Sequence, residues 1–446
     1  MTKGIVLLLL IWVFIVAKAI LNPWIGFVGY AGFAVLCPPW NWRWGLPEIE
    51  YQKYLSIATI FGMGLQGFHS QKLPQSVKTA IVAFVSYLFL AWISSFQSLS
   101  PDRSMQYLDI SWKICLMGIV GIFLVDSPKK LYWFIWSIVL CQGWNAFNIN
   151  QLYFERGFMN VNNFTWNYLD NNTYSISSLP IAACAFSLLM TMRDWRLRAI
   201  SGLIFVLQMH QIMILQSRGT MLGGLLLVAL GVLFMPKNRT SITMISIGLG
   251  LGIMLAGPSV IEEFNSSFKA EGERDSSAES RFLIWKAGAA IMMDYPLLGV
   301  GPWAGERIVP AYYEGDMGGY TTKALHNLFF EIGTGVGVPG LTAYLLFFGI
   351  PWIAHFQLWI KERDRMEPWM RVCNLSMLCG VPGYWAASMF SSGALIESPY
   401  LLVVLGCASL GMRFNHQTEL AIESEETEDE IESELSEELA YALRPQ

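Results

Sequence analysis

Three side chains stand where an apolar sequence has least reason to keep them. Arg218 interrupts ILQSRGTMLGGLLL, Arg281 opens SRFLIWKAGAAIMMDYPLLGVGPWAGE, and His326 precedes Asn327 in ALHNLFFEIGTGVGVPG. An arginine fork binds phosphate oxygens through paired hydrogen bonds and stays charged. A histidine at the start of a helix feels the positive end of the dipole, which disfavours imidazolium. The neutral imidazole is the form a general base requires. Two guanidiniums and a neutral imidazole suit displacement of a pyrophosphate leaving group by a hydroxyl. Each residue also has a plainer reading. Arg218 fits a tight turn closed by Gly219, its guanidinium reaching to headgroups. Asn327 fits a helix cap, and Glu331 falls off the His326 face and is not expected to orient it.

These residues must be positioned by a membrane protein. The chain has 446 residues, 54% hydrophobic and only 14% charged, with mean hydropathy +0.43. A soluble chain carries about 25% charged residues. Apolar runs near the ~20 residues that cross a bilayer recur throughout, and they are continuous, without the two-residue alternation of barrel strands. The expected fold is therefore all-α, a polytopic integral membrane protein with about 12–13 transmembrane helices. The apolar windows fall near 4–21, 24–38, 51–68, 77–95, 105–125, 129–149, 173–191, 198–216, 219–235, 240–257, 326–353, 369–389 and 394–412. The start of the chain imitates a signal peptide, but Lys18 and a second apolar run argue for a retained span.

Basic residues in the short loops set the sidedness. Lys129 and Lys130, Arg193, Arg196 and Arg198, Lys237 and Arg239, and Arg363, Arg365 and Arg371 collect on one side, the cytoplasmic one. The two long connections, about 150–172 and 258–325, then lie outside together with Arg218, Arg281 and His326. Lys3 and Arg413 both favour inside, which an odd number of spans does not allow, so the N-terminal topology stays open; the segment from Pro23 fits a re-entrant piece. Residues 1–412 form the membrane domain and 413–446 an acidic cytoplasmic tail. That tail holds eleven of the 34 acids between Thr418 and Leu439, leaving 29 basic residues against 23 acids elsewhere. Ile431, Leu435 and Leu439 predict a short amphipathic helix within it.

The segment from about 280 to 293 is expected as an amphipathic helix lying on the membrane surface, with Ile284 and Trp285 toward lipid, ended by Pro296 and the Gly299/Gly301 turn. Gly333 and Gly337 suit close helix packing. His69 and His355 are expected in basic inner loops and His210 as a core histidine. Trp285 fits either a lipid-docking contact or an interfacial anchor, Tyr320 an acceptor groove or a solvated loop, and Asp170, Asn171 and Asn172 an N-cap cluster. The seven cysteines are mostly inside apolar segments without CxxC spacing, so neither disulfides nor zinc are indicated. No DxD-like motif or P-loop is present, so no metal, nucleotide or other cofactor is expected, and no nucleic acid partner.

In order, QSRGTMLGG, SRFLIWKAGAAIMMDYPLLGVGPWAGE and HNLFFEIGTGVGVPG resemble the bacterial O-antigen ligase and O-antigen polymerase superfamily over roughly 205–345. The N-terminal stretches NPWIGFVGYAGFAVLCPPWNWRWGLP and LDNNTYSISSLP are similar to the subgroup of O-glycosylation ligases, some associated with exosortase systems; the acidic tail departs from the family pattern. The resemblance implies an inner-membrane glycosyltransferase of lipopolysaccharide or other polysaccharide biosynthesis, active at the periplasmic face. Its donor is an undecaprenyl-pyrophosphate-linked glycan and its acceptor a lipid, glycan or protein hydroxyl. Transfer is metal-independent and inverting. His326 is then the base, Arg218 and Arg281 hold the pyrophosphate, and Asn327, Trp285 and Tyr320 are weaker binding candidates. Ligase and polymerase differ only in acceptor. A transporter or flippase of lipid-linked sugars is the other class, but it predicts charges spread along several spans and internal repeats.

Overall fold

The computed structural model describes residues 3–67, 71–161, 170–255, 276–317 and 319–442. His69 and the first part of the long loop, to residue 275, lie outside them. In chain order the helices are α1 (Lys3–Leu21), α2 (Pro23–Leu36), α3 (Pro38–Asn41), α4 (Tyr51–Gln66), α5 (Gln75–Ser95), α6 (Pro101–Leu124), α7 (Pro128–Arg156) and α8 (Asn171–Thr191). They continue as α9 (Trp195–Ile214), α10 (Arg218–Phe234), α11 (Arg239–Leu255), α12 (Ser276–Asp294), α13 (Gly305–Tyr312), α14 (Leu328–Glu362), α15 (Pro368–Ser388) and α16 (Glu397–Ala442). No strand is present among the described residues. The all-α, polytopic architecture follows.

Six of these helices, α1, α5, α6, α8, α9 and α14, are long and apolar enough to cross a membrane by themselves. The others need the bundle. Helix α15 is buried on nearly every side, between α8 and α10, and so needs no lipid-facing apolar surface. Its close fit to α10 depends on absent side chains: a Cβ on Gly223 would come within 2.5 Å of the Gly383 carbonyl. The centre is aromatic. Phe84 of α5 stacks on Phe347 of α14 with centroids 4.1 Å apart, and Tyr344, Tyr384 and Tyr400 close round them.

Contacts along the helices settle the N-terminal topology. Trp12 packs edge-on to Tyr51, and Gly62 sits against the Ala19 carbonyl, so α1 and α4 run the same way. Helix α2 runs antiparallel to α4, with Gly26 at Thr59 and Phe33 at Tyr51, and so spans in register rather than re-entering. Thirteen segments thus alternate, and Lys3 lies at the same end as Arg218 and His326, while α16 carries the C-terminal tail out at the basic end. The expectation that Lys3 lies with the basic loops is corrected; a single lysine is outweighed by the packing of α1. A second correction concerns His355. It is not in a loop but fully buried in α14, where it meets the Gly406 carbonyl and Asn374. The tail is a direct helical continuation of α16 to Ala442.

Helix α14 is broken. Gly337 has φ 78° and ψ 177°, with Pro339 just after it. A break at membrane depth frees carbonyls that water cannot satisfy. The turn 296–301 takes them up: Val300 N donates to Thr334 O, Gly301 N to Gly335 O, and Val338 N to Pro296 O, at 2.8–3.0 Å. Ser94 of α5 adds its hydroxyl to Leu298 O and Gly335 O. Gly333 and Gly337 therefore serve packing as expected, Gly333 against helix α12 at Met292 and Gly337 against the turn at Leu297. A Cβ on Gly337 would lie 2.4 Å from Leu297 O, and its φ alone costs a non-glycine residue about 1–2 kcal/mol. Gly337→Ala should lower the melting temperature of the detergent-solubilised protein clearly. Gly248→Ala, where nothing lies within 4 Å, should leave it unchanged; equal melting of the two variants would contradict this account of the break.

Candidate active site

Asn327 caps α14. Its Oδ1 accepts from Phe329 N and Phe330 N, and its Nδ2 donates to Met389 O at 2.9 Å. One side chain thus starts the helix and ties it to the turn that follows α15. That turn carries Phe390, whose ring lies 5.7 Å from Trp285 of α12. On its other flank Gly219 presses against Phe390; a Cβ there would come within 2.5 Å. The Ser217-Arg218-Gly219 turn, Trp285 one helical turn beyond Arg281, and Asn327 beside His326 therefore meet around residues 389–390. The Thr173 and Ser391 hydroxyls lie 3.5 Å apart, bringing the α8 N-terminus to the same place. Asp170 caps that helix, accepting from Thr173 N at 2.7 Å. The N-cap reading is correct, although the cluster is wider than a cap.

Helix α12 does not lie flat on the membrane. Gly288 faces Phe330, Gly333 faces Met292, and Gly337 faces Leu297, so α12 descends beside the first segment of α14. Ile284, Ala287 and Ile291 are buried there with Val300, Val309 and Leu325. The expected lipid-facing Ile284 is 1% exposed, because the glycines of both helices let them approach closely enough to exclude lipid.

The electrostatics converge on His326. Its pKa is lowered, first by burial, then by the positive charge of Arg281, with Lys323 adding to it and the Asp170 carboxylate opposing. The imidazole is thus held toward its neutral form by burial and a neighbouring guanidinium. Arg218 and Arg281 are both half-buried, as are His326 and Trp285. Tyr320 is 75% exposed, on the stretch leading to His326. Backbone strain gathers here too. Of the four non-glycine residues with positive φ among the described residues, three are Gln216 (53°), Trp303 (57°) and His326 (47°), each costing about 1–2 kcal/mol.

Sequence reasoning missed two participants. Glu331, one turn below Asn327, is buried and accepts from Trp303 Nε1 at 2.9 Å. That bond fixes the 301–304 turn to the helix bearing the cluster. Glu306 of α13 lies close enough for its charge to act on Glu331, and burial raises its own pKa against the pull of Arg103. Trp303 sits between Gly301 and Gly305, and the glycines were the only signal of it. Lys286 pairs with Glu314 at 2.7 Å, both side chains exposed. Among the described residues no group of three histidine, cysteine or acidic side chains gathers to hold a metal ion.

Residues 203–345 match the family model for O-antigen ligase. That match supports a place in the O-antigen ligase superfamily. The matched stretch carries the Arg218 turn, α12 with Arg281, and the His326-Asn327 start of α14. No curated protein matches the chain. The match points to a membrane glycan-transfer enzyme of surface-polysaccharide biosynthesis with a lipid-linked glycan donor. Asp170, Met389 and Phe390 lie outside the matched stretch, yet they border the cluster.

Removing the Asn327 side chain deletes the cap and the Met389 tie together. Loss of the cap alone costs about 1 kcal/mol. Asn327→Ala should melt earlier than wild type. Asn327→Asp, which keeps the acceptor and loses the donor, should fall between; indistinguishable melting of all three would show that neither bond holds the site together.

Proposed function

We propose that the protein transfers a glycan from a polyprenyl-pyrophosphate lipid, of the undecaprenyl type, to an acceptor hydroxyl at the periplasmic face of the inner membrane, without a metal. The observation that carries the reading is the setting of His326. A half-buried imidazole, pushed toward neutrality by Arg281, sits in the same cluster of turns as Arg218. A base that must work beside cations needs this arrangement, since the Arg281 guanidinium that would attract phosphate also favours the unprotonated imidazole.

In this mechanism the acceptor oxygen attacks the anomeric carbon from the side opposite the pyrophosphate. The acceptor O–H proton passes to His326 as the new C–O bond forms. The old bond from the anomeric carbon to the phosphate oxygen breaks, and its electron pair leaves with the lipid pyrophosphate. Arg218 and Arg281 stabilise that developing charge. One displacement inverts the anomeric configuration. Asn327 holds the His326 segment in place, Trp285 packs the arginine helix onto Phe390, and Tyr320 stands on the exposed acceptor side. Collection of the unusual polar groups at one end of the bundle favours surface chemistry over passage, and so a transferase over a flippase. Ligation to a second lipid or a protein, and polymerisation of the glycan itself, use the same machinery with different acceptors.

The test is transfer by purified protein from a lipid-pyrophosphate glycan to a panel of acceptors, with and without EDTA, followed by mass spectrometry of the released lipid. Wild type should release lipid pyrophosphate in EDTA. His326→Ala and Arg218→Ala should each lose most of it, by about 10²-fold or more. Full transfer by both variants would remove the assignment, and the productive acceptor separates ligase from polymerase.

The pH dependence has a definite sign. Because the folded pKa of His326 is lowered, its neutral form persists below the ordinary histidine value of 6.5. The acid limb of kcat/KM should therefore have its midpoint below 6.5. Arg281→Gln, which removes a positive neighbour, should shift that midpoint upward. A midpoint at or above 6.5 in wild type contradicts His326 as the base.

A further inference from the structure

A cavity of about 500 Å³ lies between α2, α4 and α6, away from the His326 cluster, and shares none of its residues. That volume falls within the ~300–1,000 Å³ of small-molecule sites. Its walls are mostly apolar, with Phe33, Ile60, Ile114 and Met117, and Gln52 of α4 and Glu397 of α16 add one hydrogen-bonded polar pair. Its outer edge is exposed, with Ile57 at 55%, Trp112 at 46% and Leu116 at 38%. In a membrane bundle that edge faces acyl chains.

The charges at this cavity are out of place for such a surface. Lys53 pairs with Glu50 on α4, and Lys113 with Asp109 on α6 at 2.8 Å. The two pairs face each other, since the Lys53 charge acts on Asp109. Lys113 stands eleven residues from the basic end of α6 at Leu124, and Lys53 thirteen from the end of α4 at Gln66. At 1.5 Å per residue these are about 16 and 20 Å, within the ~30 Å hydrocarbon slab. Four charges at that depth, on a face toward lipid, mark a functional site rather than a solvated edge. The chain before α4 is also irregular. Gly45 lies by Ile5 near the start of α1, whereas Tyr51 is already down at Trp12. Non-helical backbone at membrane depth is tolerated where it lines a cavity.

We infer that this groove binds one zwitterionic phospholipid bearing a primary ammonium. Its phosphate sits between Lys53 and Lys113, its ammonium on Glu50 and Asp109, and one acyl chain runs down the apolar wall. The occupant should carry both signs, because each lysine comes with its own carboxylate. A purely anionic head would satisfy the lysines and be repelled by both acids. A quaternary ammonium would offer the carboxylates no N–H. Binding draws the headgroup below the general plane of the bilayer at this point and supplies the polar partner that hydrocarbon cannot. The inference does not rest on the glycan-transfer reading.

The test is native mass spectrometry of the purified full-length protein, stripped of lipid in detergent and titrated with phosphatidylethanolamine, phosphatidylcholine, phosphatidylglycerol or undecaprenyl phosphate. Wild type should take up one phosphatidylethanolamine in preference to the other three. Lys53→Ala combined with Lys113→Ala should weaken that uptake about tenfold or more. So should Ile57→Trp, which fills the exposed edge without touching the core. Melting temperature and glycan transfer, measured on the same samples, separate loss of this lipid from loss of fold or of the reaction. Unchanged uptake in both variants overturns the proposal, as does preferential filling by any of the other three lipids.

Discussion

Peptide carbonyls inside a bilayer must find donors within the protein, and the break in α14 at Gly337 makes that requirement acute. The fold answers it by inserting the 296–301 turn into the break. From there most of the site follows. The turn ends α12 at a fixed depth, so Trp285 reaches Phe390 and Arg281 acts on His326. It also leads into Trp303, whose indole holds Glu331 one turn below the Asn327 cap. A straight α14 would have no place for this turn, and the arginine helix would lack its footing.

Around that staple the site is built from compromises that only function explains. Three non-glycine residues hold left-handed backbone conformations within it. A histidine is kept half-buried beside cationic side chains, and a carboxylate is buried below it. Each feature costs stability, and together they set an imidazole held toward its neutral form beside the Arg281 guanidinium. Burial dominates the His326 environment, while the charges on either side adjust it in opposite directions.

The family match covers 203–345, less than a third of the chain. The rest of the chain is nonetheless part of the site's mechanics. Helix α15 and the 389–390 turn form its floor, α8 brings Asp170 to its edge, and α5 reinforces the break in α14 through Ser94. The cavity between α2, α4 and α6 is lined mainly by N-terminal helices, with Glu397 added by α16.

Much was determined by the sequence by itself. Continuous apolar runs dictated an all-α membrane protein, because a bilayer admits no other way to satisfy the backbone of such segments. Basic loops grouped the long connections at one end, and the three motifs around Arg218, Arg281 and His326 named the cluster. The tertiary structure decided what local pattern does not encode. Lys3 lies at the site end because α1 packs parallel to α4. His355 is in the core rather than in a loop because an apolar window ends where lipid would, whereas a helix surrounded by protein goes on. Helix α12 stands against α14 instead of on the membrane, because an amphipathic face does not say whether lipid or another helix will cover it. The bond from Trp303 to Glu331 and the place of Phe390 were invisible because they are contacts between segments far apart in the chain, and periodicity reports only on neighbours.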